Sequence, residues 1–287
     1  MNMALLILKI IGKVFGHFPK LILSLRYLKR FHRAINFESP QLFYDKVLWN
    51  SLYTDTSAWT LLADKYRVRS YVENKCGERV LTTLLGVYKK SEDIDFDALP
   101  NSFVIKTNNG CASNVIVPDK KRVNQADIRA KINYWLQFPY GELTGQKHYA
   151  RIKPLIIVEE FLIQDGDPEK ALIDYKFYCF KGMPTYCQII LEREKNTHIF
   201  YEMFYDMDWT PRPDLYSSTS NLKEASKPCC FEEMINLAKE LSQGFDFVRV
   251  DLYNINGKPF FGEMTFMPAF KKNLTNKALF EFGQLMN

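Results

Sequence analysis

The stretch that most restricts the fold is FVRVDLYNINGKPFFGEMTF, residues 247–266, in which two apolar strand-forming runs meet at Asn256-Gly257. Asn-Gly between two such runs is a strong short-range signal for a β-hairpin. A two-residue turn would pair Asp251 with Gly262, whereas a three-residue Asn-Gly-Lys turn pairs Asp251 with Glu263. We predict the three-residue turn, because it brings two carboxylates together as hard-oxygen ligands for a cation.

A third oxygen ligand follows on the same arm of this hairpin. Thr265 lies two residues beyond Glu263 and therefore shares its face of the strand. The two acids sit among Val250, Leu252 and other large apolar residues, so we expect them to be buried, and buried carboxylates need a cation or hydrogen-bond donors. The alternative is that they form the solvated face of an edge hairpin.

Strand-like and helical runs follow one another irregularly along the rest of the chain. Strands are predicted at 101–107, 114–119, 153–162, 173–180 and 185–194, and helices at 39–53, 60–77, 125–138 and 230–243. Ser39 is the predicted N-cap of the first of these helices, and Gly77 is the predicted stop of the second. Helices inserted between hairpins, without a strict strand-helix-strand repeat, predict an α+β fold with antiparallel sheets.

The formal charge of +5 is concentrated at the amino-terminal end. Seven Lys and Arg residues precede the first acid, Glu38, which leaves 31 bases against 33 acids in the remainder. This distribution does not support a nucleic-acid footprint spread over the fold. The six cysteines show no C-x-x-C spacing, which favours a reduced, cytoplasmic compartment.

Residues 1–35 form a basic leader with helical periodicity. Its apolar residues recur on one side, with lysines on the other: Ile7, Ile10, Ile11, Val14, Phe15 and Phe18 face away from Lys9, Lys13 and Lys20. Pro19 and the lysines exclude a spanning helix, and no cleavage site of the kind found in signal peptides follows. Two alternatives remain: residues 1–33 contact the inner membrane surface peripherally, or the helix packs on the protein's own surface.

A small polar loop joins two further strand-like runs in FVIKTNNGCASNVIV, residues 103–117. Such a loop exposes backbone N–H groups that can converge on a phosphate, and Lys106 stands immediately before it. The loop could equally be a hairpin turn, since Asn-Gly turns well. Neither a Walker loop nor G-x-G-x-x-G occurs in the chain.

Five blocks in this order resemble the TupA-like branch of the ATP-grasp superfamily: ADKYRVRSYV, FVIKTNNGCASNVIV, IIVEEFL, DYKFYCF and FVRVDLYNINGKPFFGEMTF. The resemblance implies an ATP-grasp domain over 36–287 in which a nucleotide and Mg²⁺ are held between two α+β subdomains. The first subdomain, 36–154, would carry a phosphate flap, and the second, 155–287, a metal-binding hairpin.

Site residues also follow from this resemblance. Lys65 and Lys106 resemble the family's two phosphate-reaching lysines. The flap residues assigned to the nucleotide are Thr107, Asn108, Asn109, Gly110 and Asn114. The segment Glu159, Glu160, Phe161 and Leu162 resembles the one that contacts adenine and ribose, with the roles of the two glutamates left open.

The second half of the implied site contains the metal ligands. Lys176 resembles a further cation that faces the nucleotide, and Asp251 and Glu263 match magnesium-binding acids. Thr265 stands where most ATP-grasp sites carry Asn. Arg249 shares the face of Asp251, where a guanidinium would stabilise a transferring phosphoryl group. The catalytic set is therefore Lys106, Lys176 and Arg249.

The resemblance implies an ATP- and Mg²⁺-dependent carboxylate–amine ligase that forms an acyl phosphate. The branch suggests a sugar acid or glycan, joined to an amine or amino acid in capsular polysaccharide biosynthesis. A kinase acting on a glycan hydroxyl needs the same nucleotide half and stays open, while a glycosyltransferase or a nucleotide sensor has less support. His148 and Arg151 are candidates for binding an acidic substrate, although a lone histidine is more often structural.

Overall fold

The structure, a computed structural model, describes residues 3–193 and 200–287. Met1, Asn2 and Glu194, which belong to the predicted leader and to a predicted strand, lie outside this part of the chain. The chain divides into two compact units. Unit 1 comprises the residues up to Arg26, Asp55–Tyr71 and Thr82–Phe161, and unit 2 comprises Tyr27–Thr54, Val72–Leu81 and Leu162–Asn287. The sequence-based boundaries at 35/36 and 154/155 stay a prediction.

The helices of the described residues are numbered α1 to α10 in chain order. They are α1 Met3–Phe15, α2 Pro19–Phe31, α3 Phe43–Tyr53, α4 Ser57–Ala63, α5 Val68–Cys76, α6 Gln125–Gln137, α7 Tyr140–Thr144, α8 Lys147–Ala150, α9 Phe231–Ser242 and α10 Asn276–Gln284. None of these helices combines the length and the apolar content that a membrane crossing requires.

Unit 1 contains a four-stranded antiparallel sheet in the order β1-β4-β2-β3. Its strands are β1 Leu84–Tyr88, β2 Phe103–Thr107, β3 Asn114–Val117 and β4 Ile156–Glu160. Alternate residues of β2 and β4, among them Ile105 and Val158, enter a core that α6 covers with Ile128 and Ile132. The residues between them therefore point to the other face of the sheet.

Unit 2 contains a five-stranded antiparallel sheet in the order β7-β6-β5-β8-β9. Its strands are β5 Asp174–Phe180, β6 Met183–Leu191, β7 Tyr201–Tyr205, β8 Phe247–Ile255 and β9 Lys258–Thr265. One face, with Phe177 of β5, packs against α9 through Phe231. The prediction of an α+β fold with antiparallel sheets is confirmed.

Several predicted boundaries were wrong for identifiable reasons. The helix predicted over 60–77 is two helices, because Asp64 leaves helical geometry and its side chain accepts hydrogen bonds from the backbone N–H groups of Tyr66 and Arg67. Ser39 is not an N-cap, since α3 begins four residues later at Phe43. Gly77 does follow the end of α5, with φ +84°. The strands β1 and β7 were not predicted.

Candidate functional site

A buried acid between two cations is the main charged feature of unit 1. Glu159 accepts from Lys106 Nζ at 2.6 Å through Oε2 and from Arg69 Nη1 at 2.9 Å through Oε1. The carboxylate side chain is only 7% exposed. Lys106 and Glu159 meet because β2 and β4 are adjacent and both residues lie on the face opposite the core. The cluster therefore has more positive than negative charge and carries Lys106 beside the flap.

The other glutamate of the predicted adenine segment has a different partner. Glu160 accepts from the backbone N–H of Thr83 at 2.7 Å, and its own N–H donates to the carbonyl of Thr83 at 3.0 Å. Glu160 thus fixes the chain beside β1, while Glu159 is the glutamate that contacts a predicted phosphate lysine. Phe161 and Leu162 follow β4 and are half-buried. The role of Phe161 and Leu162 in contacting adenine stays a prediction.

The loop between β2 and β3 is anchored to the body of unit 1 by Asn108. Its Nδ2 donates to Asp64 Oδ1 at 3.0 Å and to the carbonyl of Lys153 at 3.1 Å, and its Oδ1 accepts from Leu155 N at 2.6 Å. Lys65 Nζ donates to the carbonyl of Gly110 on the same loop. Lys65 and the loop are therefore in contact, as the predicted set requires, but the Asn108 side chain is engaged in holding the loop in place.

Two side-chain oxygens of this loop are buried with no hydrogen-bond partner among the described residues. They are Thr107 Oγ1 and Asn109 Oδ1. A buried polar atom without a partner is costly and is uncommon in native proteins. Asn114, in contrast, is exposed at the start of β3 and pairs with Lys106 across the hairpin. Thr107 Oγ1 and Asn109 Oδ1 therefore have hydrogen-bonding capacity left for a ligand.

The charged cluster of unit 2 centres on the hairpin of β8 and β9. Arg249 donates from Nε to Asp251 Oδ1 at 2.6 Å and from Nη2 to Asp251 Oδ2 at 2.7 Å. The same Nη2 reaches Glu263 Oε1 at 3.2 Å and Thr265 Oγ1 at 3.0 Å. Lys176 Nζ, on the neighbouring β5, donates to Asp251 Oδ2 at 2.7 Å. All five predicted residues of this half are thus brought together on one face of the sheet.

The electrostatics of this cluster keep Asp251 ionised. Burial alone would raise the pKa of Asp251, but the neighbouring Arg249 and Lys176 outweigh that effect and hold the pKa below its ordinary value. Conversely, although burial opposes it, Asp251 and its hydrogen bonds raise the pKa of Arg249 well above the ordinary value. The Asp251 side chain is 3% exposed and that of Glu263 is 33% exposed, so the second acid is the more accessible.

The predicted pairing of Asp251 with Glu263 is confirmed, but the predicted three-residue turn is wrong. Ile255 pairs with Lys258, which leaves a two-residue Asn256-Gly257 turn with φ +52° and +79°. The register shifts further along, since Leu252 pairs with Phe261. Gly262 is therefore the extra residue of a β-bulge, and this bulge restores the alignment of the two acids.

The donor chemistry of the hairpin fits Mg²⁺. Asp251 and Glu263 offer carboxylate oxygens from paired positions, and Mg²⁺ typically takes one or two carboxylates together with water and substrate phosphates. Hydrogen bonds within the described residues use only Oε1 of Glu263, which leaves its second oxygen available. Within residues 3–193 and 200–287 there is no group of three or more His, Cys, Asp or Glu that would hold a metal without substrate.

A cavity of about 410 Å³ in unit 2 is lined by Arg249 and Lys176. Its described lining includes six cationic side chains and a single acid, Glu202; the cations are Arg30, Lys176, Arg193, Arg249, Lys271 and Lys272. Glu202 is already neutralised, since it accepts from Lys271 and Asn273. Burial lowers the pKa of the Lys271 ammonium, and Glu202 opposes that shift. The cavity lining therefore carries more positive than negative charge, and four of its six cations already pair with Asp251, Asp174 or Glu202.

Four residues that matter here were not predicted from the sequence: Asp64, Arg69, Glu202 and Lys271. Arg69 lies within the ADKYRVRSYV block but carries no local signal that it would reach Glu159, 90 residues away. Glu202 and Lys271 are 69 residues apart, and the strand that carries Glu202 was not predicted. Asp64 alone had a usable signal, because an Asp side chain typically accepts from the backbone N–H groups two and three residues later where a turn or helix begins.

His148 proves to be a core residue. It is 2% exposed and packs edge-on against Trp59, with ring centroids 5.8 Å apart. Burial, with a smaller contribution from Arg151, lowers the pKa of His148 to about 3, so the imidazole is neutral. A neutral, enclosed imidazole is unsuited to bind an acidic substrate.

The two antiparallel sheets with their helices, and the clusters they carry, define a protein of the ATP-grasp class. The family model for TupA-like ATP-grasp proteins matches residues 45–283. The chain therefore belongs to the TupA-like ATP-grasp family. No curated protein matches it by sequence.

Three solved structures similar to this chain share little sequence with it. D-alanine–D-alanine ligase from Bacillus anthracis complexed with ATP is 14% identical, with a TM-score of 0.46 over 78% of this chain and 63% of that one. The ATP-grasp ligase PsnB complexed with minimal precursor is 12% identical, with a TM-score of 0.43 over 84% and 66%. N5-carboxyaminoimidazole synthetase from Staphylococcus aureus complexed with ADP is 13% identical, with a TM-score of 0.45 over 78% and 51%. The chain thus spans less than two thirds of the length of each.

Proposed function

We propose that this protein is an ATP- and Mg²⁺-dependent carboxylate–amine ligase that activates an acidic substrate as an acyl phosphate. One observation carries the proposal. Arg249 and Lys176 donate hydrogen bonds to Asp251, the acid proposed to bind Mg²⁺, and both also line the cationic cavity of unit 2. An anionic substrate in that cavity lies beside the same two cations that face the predicted site of phosphoryl transfer. Positive groups beside the reacting atoms stabilise the charge that spreads during transfer.

The residues of unit 1 serve the nucleotide in this proposal. Lys106 and Lys65 supply positive charge at the phosphates, and the loop from Thr107 to Asn114 covers them. The Glu159 carboxylate holds the Lys106 ammonium in position from 2.6 Å, and Arg69 balances the charge of that acid. A held ammonium is pre-organised for phosphate, because less side-chain freedom is lost when the nucleotide binds.

The reaction proceeds in two displacements. A carboxylate oxygen of the acceptor attacks the γ-phosphorus, the bond from that phosphorus to the bridging oxygen breaks, and ADP leaves. An amine then attacks the acyl carbon, phosphate departs, and the amine proton is lost as the amide forms. Mg²⁺ bound by Asp251 and Glu263 would neutralise phosphate charge during the first displacement. Arg249 and Lys176 orient the acceptor carboxylate and offset the charge on the transferred group.

We extend the proposal to the substrate class: a sugar acid or acidic glycan, joined to an amine or amino acid during capsular polysaccharide biosynthesis. Family membership and the excess of cationic side chains in the cavity lining support this class. Phe200 and Phe270 in the cavity lining offer apolar surface for a sugar ring. Because ATP is the phosphoryl donor, we propose that the enzyme works on the cytoplasmic side of the membrane.

The test is an ADP-release screen of the purified protein with Mg²⁺-ATP, pairing uronic acids with each amino acid. We expect turnover to require a carboxylate acceptor, and hydroxylamine to intercept the acyl phosphate as a hydroxamate. A neutral sugar of the same stereochemistry, which lacks the carboxylate, is the matched control. ADP formation with that control, together with a stable phosphoester and no hydroxamate, would replace the ligase with a glycan kinase.

The cavity itself is tested with a residue outside the proposed catalytic set. Lys272 lines it and is exposed, so Lys272→Gln removes one positive charge without opening the core. We expect the KM for the acidic acceptor to rise several-fold, with the KM for ATP unchanged. Lys277→Gln, an equivalent change of an exposed lysine on α10, should alter neither value. Equal KM values for the acceptor in both variants would show that the cavity does not bind the acceptor.

A further inference from the structure

The first helix presents a wide apolar face to solvent. Seven large apolar side chains of α1 are between 37% and 71% exposed: Met3, Leu6, Ile7, Ile10, Ile11, Val14 and Phe15. At 100° per residue they cover about half of the helix circumference, which is the width of an amphipathic surface. Phe18, Leu21 and Leu25 extend the exposed apolar residues beyond α1, at 56%, 49% and 55%. Isolated exposed apolar residues are ordinary, but seven along one face of a single helix mark an interaction surface.

The opposite side of α1 is the one that packs on unit 1. Leu5 is 4% exposed, and Gly12 is buried so closely that a Cβ atom there would lie 3.0 Å from Pro139. Lys9 Nζ donates to Gln137 Oε1 at 2.9 Å and fixes the rotation of the helix. Of the two alternatives from the sequence, a helix packed on its own protein is observed, but α1 packs with the other face. Contact with a membrane stays a prediction. The predicted apolar face is not used for folding.

Charge around the exposed face has one sign. Lys13 is exposed at its border, Lys20 and Arg26 follow on α2, and no Asp or Glu occurs before Glu38. An apolar face bordered by lysines matches the boundary between acyl chains and anionic headgroups of a bilayer. A second copy of this chain fits less well, because a two-fold contact would bring identical lysine-bordered surfaces together.

We propose that the exposed face of α1, with Phe18, Leu21 and Leu25, docks on an anionic membrane surface and holds the protein there peripherally. The apolar side chains enter the headgroup–acyl boundary, and the flanking basic residues contact lipid phosphates. This proposal does not depend on the reaction that the protein catalyses.

The experiment uses the full chain with substitutions that spare the core. Deleting residues 1–33 is unsuitable, since Tyr27 is fully buried and packs against Phe270 at 5.8 Å between ring centroids. Ile10 and Val14 are 56% and 54% exposed, so Ile10→Glu with Val14→Glu should fold normally. Phe280→Glu is the matched control, because Phe280 is a similarly exposed residue, at 50%, on another helix, α10.

Co-sedimentation with vesicles of phosphatidylglycerol and phosphatidylcholine measures the docking. We expect wild type and the Phe280→Glu variant to bind equally well, and the double variant to bind at least tenfold more weakly. Lys13→Glu should also weaken binding, and its effect should be larger at low salt than at high salt. Binding that is equal in wild type and the double variant would overturn the proposal. The proposal would also be overturned if the wild type is a dimer, the double variant is a monomer and neither protein binds vesicles.

Discussion

Arg249 donates two parallel hydrogen bonds to the carboxylate of Asp251, at 2.6 Å and 2.7 Å, although the two residues lie only two positions apart on the same strand. Side chains two apart share a face of a strand, and the long Arg side chain can fold along it to the shorter Asp. The arrangement keeps a buried carboxylate charged. A metal that binds Asp251 must therefore share it with Arg249 and Lys176, which links metal affinity to both cations.

The first prediction concerns the charge of Asp251. Asp251→Asn removes the nearest counter-charge of the buried cations Arg249 and Lys176, which keep only Glu263 at 3.2 Å and Asp174 at 3.6 Å. We therefore expect the free energy of unfolding to fall by about 3 kcal/mol. ATP turnover should fall by on the order of 100-fold, because the charge at the transferred phosphoryl group is lost. Urea unfolding and ADP release measure the two effects.

Glu263→Gln distinguishes the loss of stability from the loss of ATP turnover expected for Asp251→Asn. The Glu263 side chain is 33% exposed, so its loss of charge should cost little stability. Mg²⁺ dependence of turnover should nevertheless shift to higher Mg²⁺ concentration by about 10- to 100-fold. If Glu263→Gln keeps the wild-type Mg²⁺ dependence while Asp251→Asn loses activity, Glu263 is not a metal ligand.

The second prediction concerns the bulge that aligns the two acids. A Cβ atom at Gly262 would lie 3.0 Å from the carbonyl oxygen of Asp251 and 3.1 Å from Tyr253, so Gly262→Ala must shift the backbone at the bulge. We expect a loss of stability of about 1–3 kcal/mol and a weaker response to Mg²⁺, since Glu263 moves relative to Asp251. Thermal unfolding with and without Mg²⁺-ATP measures both.

Asn256→Gly is the control for the bulge. This change relaxes the turn, where Asn256 has φ +52°, but leaves the bulge intact. The Mg²⁺ response should stay at the wild-type level. A reduced response with Asn256→Gly, and none with Gly262→Ala, would assign the alignment to the turn and not to the bulge.

The hairpin also shows how far sequence could determine this site. Alternation along each strand correctly placed Arg249 with Asp251 and Glu263 with Thr265, because a strand has a period of two residues. The pairing of Asp251 with Glu263 across the strands was predicted from the turn length. The turn length could not be deduced, since a short turn with a bulge and a longer turn without one give the same pairing. Gly262 was the available signal, as an isolated glycine inside a strand often marks a bulge.

Contacts between distant segments were beyond the reach of sequence patterns. Arg69 meets Glu159 from a helix 90 residues earlier, and Lys271 meets Glu202 from a loop after the last strand. No periodicity within either segment encodes such a partner. The family resemblance assigned Lys106 and Glu159 to the site independently of each other. Their ion pair becomes evident only from the structure, in which β2 and β4 are adjacent.

The third prediction concerns His148 and pH. The folded-state pKa of His148, about 3, lies below its ordinary value of 6.5, so the unfolded chain takes up a proton that the folded protein does not. Its effect is absent above pH 6.5, and stability falls as pH drops from 6.5 towards 3, by at most about 1.4 kcal/mol per pH unit. His148→Asn should flatten this slope in urea titrations between pH 6.5 and 5. His17→Asn, at an exposed histidine, should retain it, and an unchanged slope in His148→Asn would contradict the assignment.

The last prediction concerns Lys106, whose ammonium lies 2.6 Å from Glu159. In Lys106→Ala the acid keeps Arg69 as a partner at 2.9 Å, so we expect the fold to survive with a stability loss of about 1 kcal/mol. ATP affinity should fall by at least tenfold, because a positioned positive charge at the phosphates is gone. Arg69→Ala removes the other cation of the same acid and, since Lys106 remains, should weaken ATP binding much less. Calorimetry of both variants decides the point, and ATP binding at wild-type strength in Lys106→Ala would exclude Lys106 from the nucleotide site.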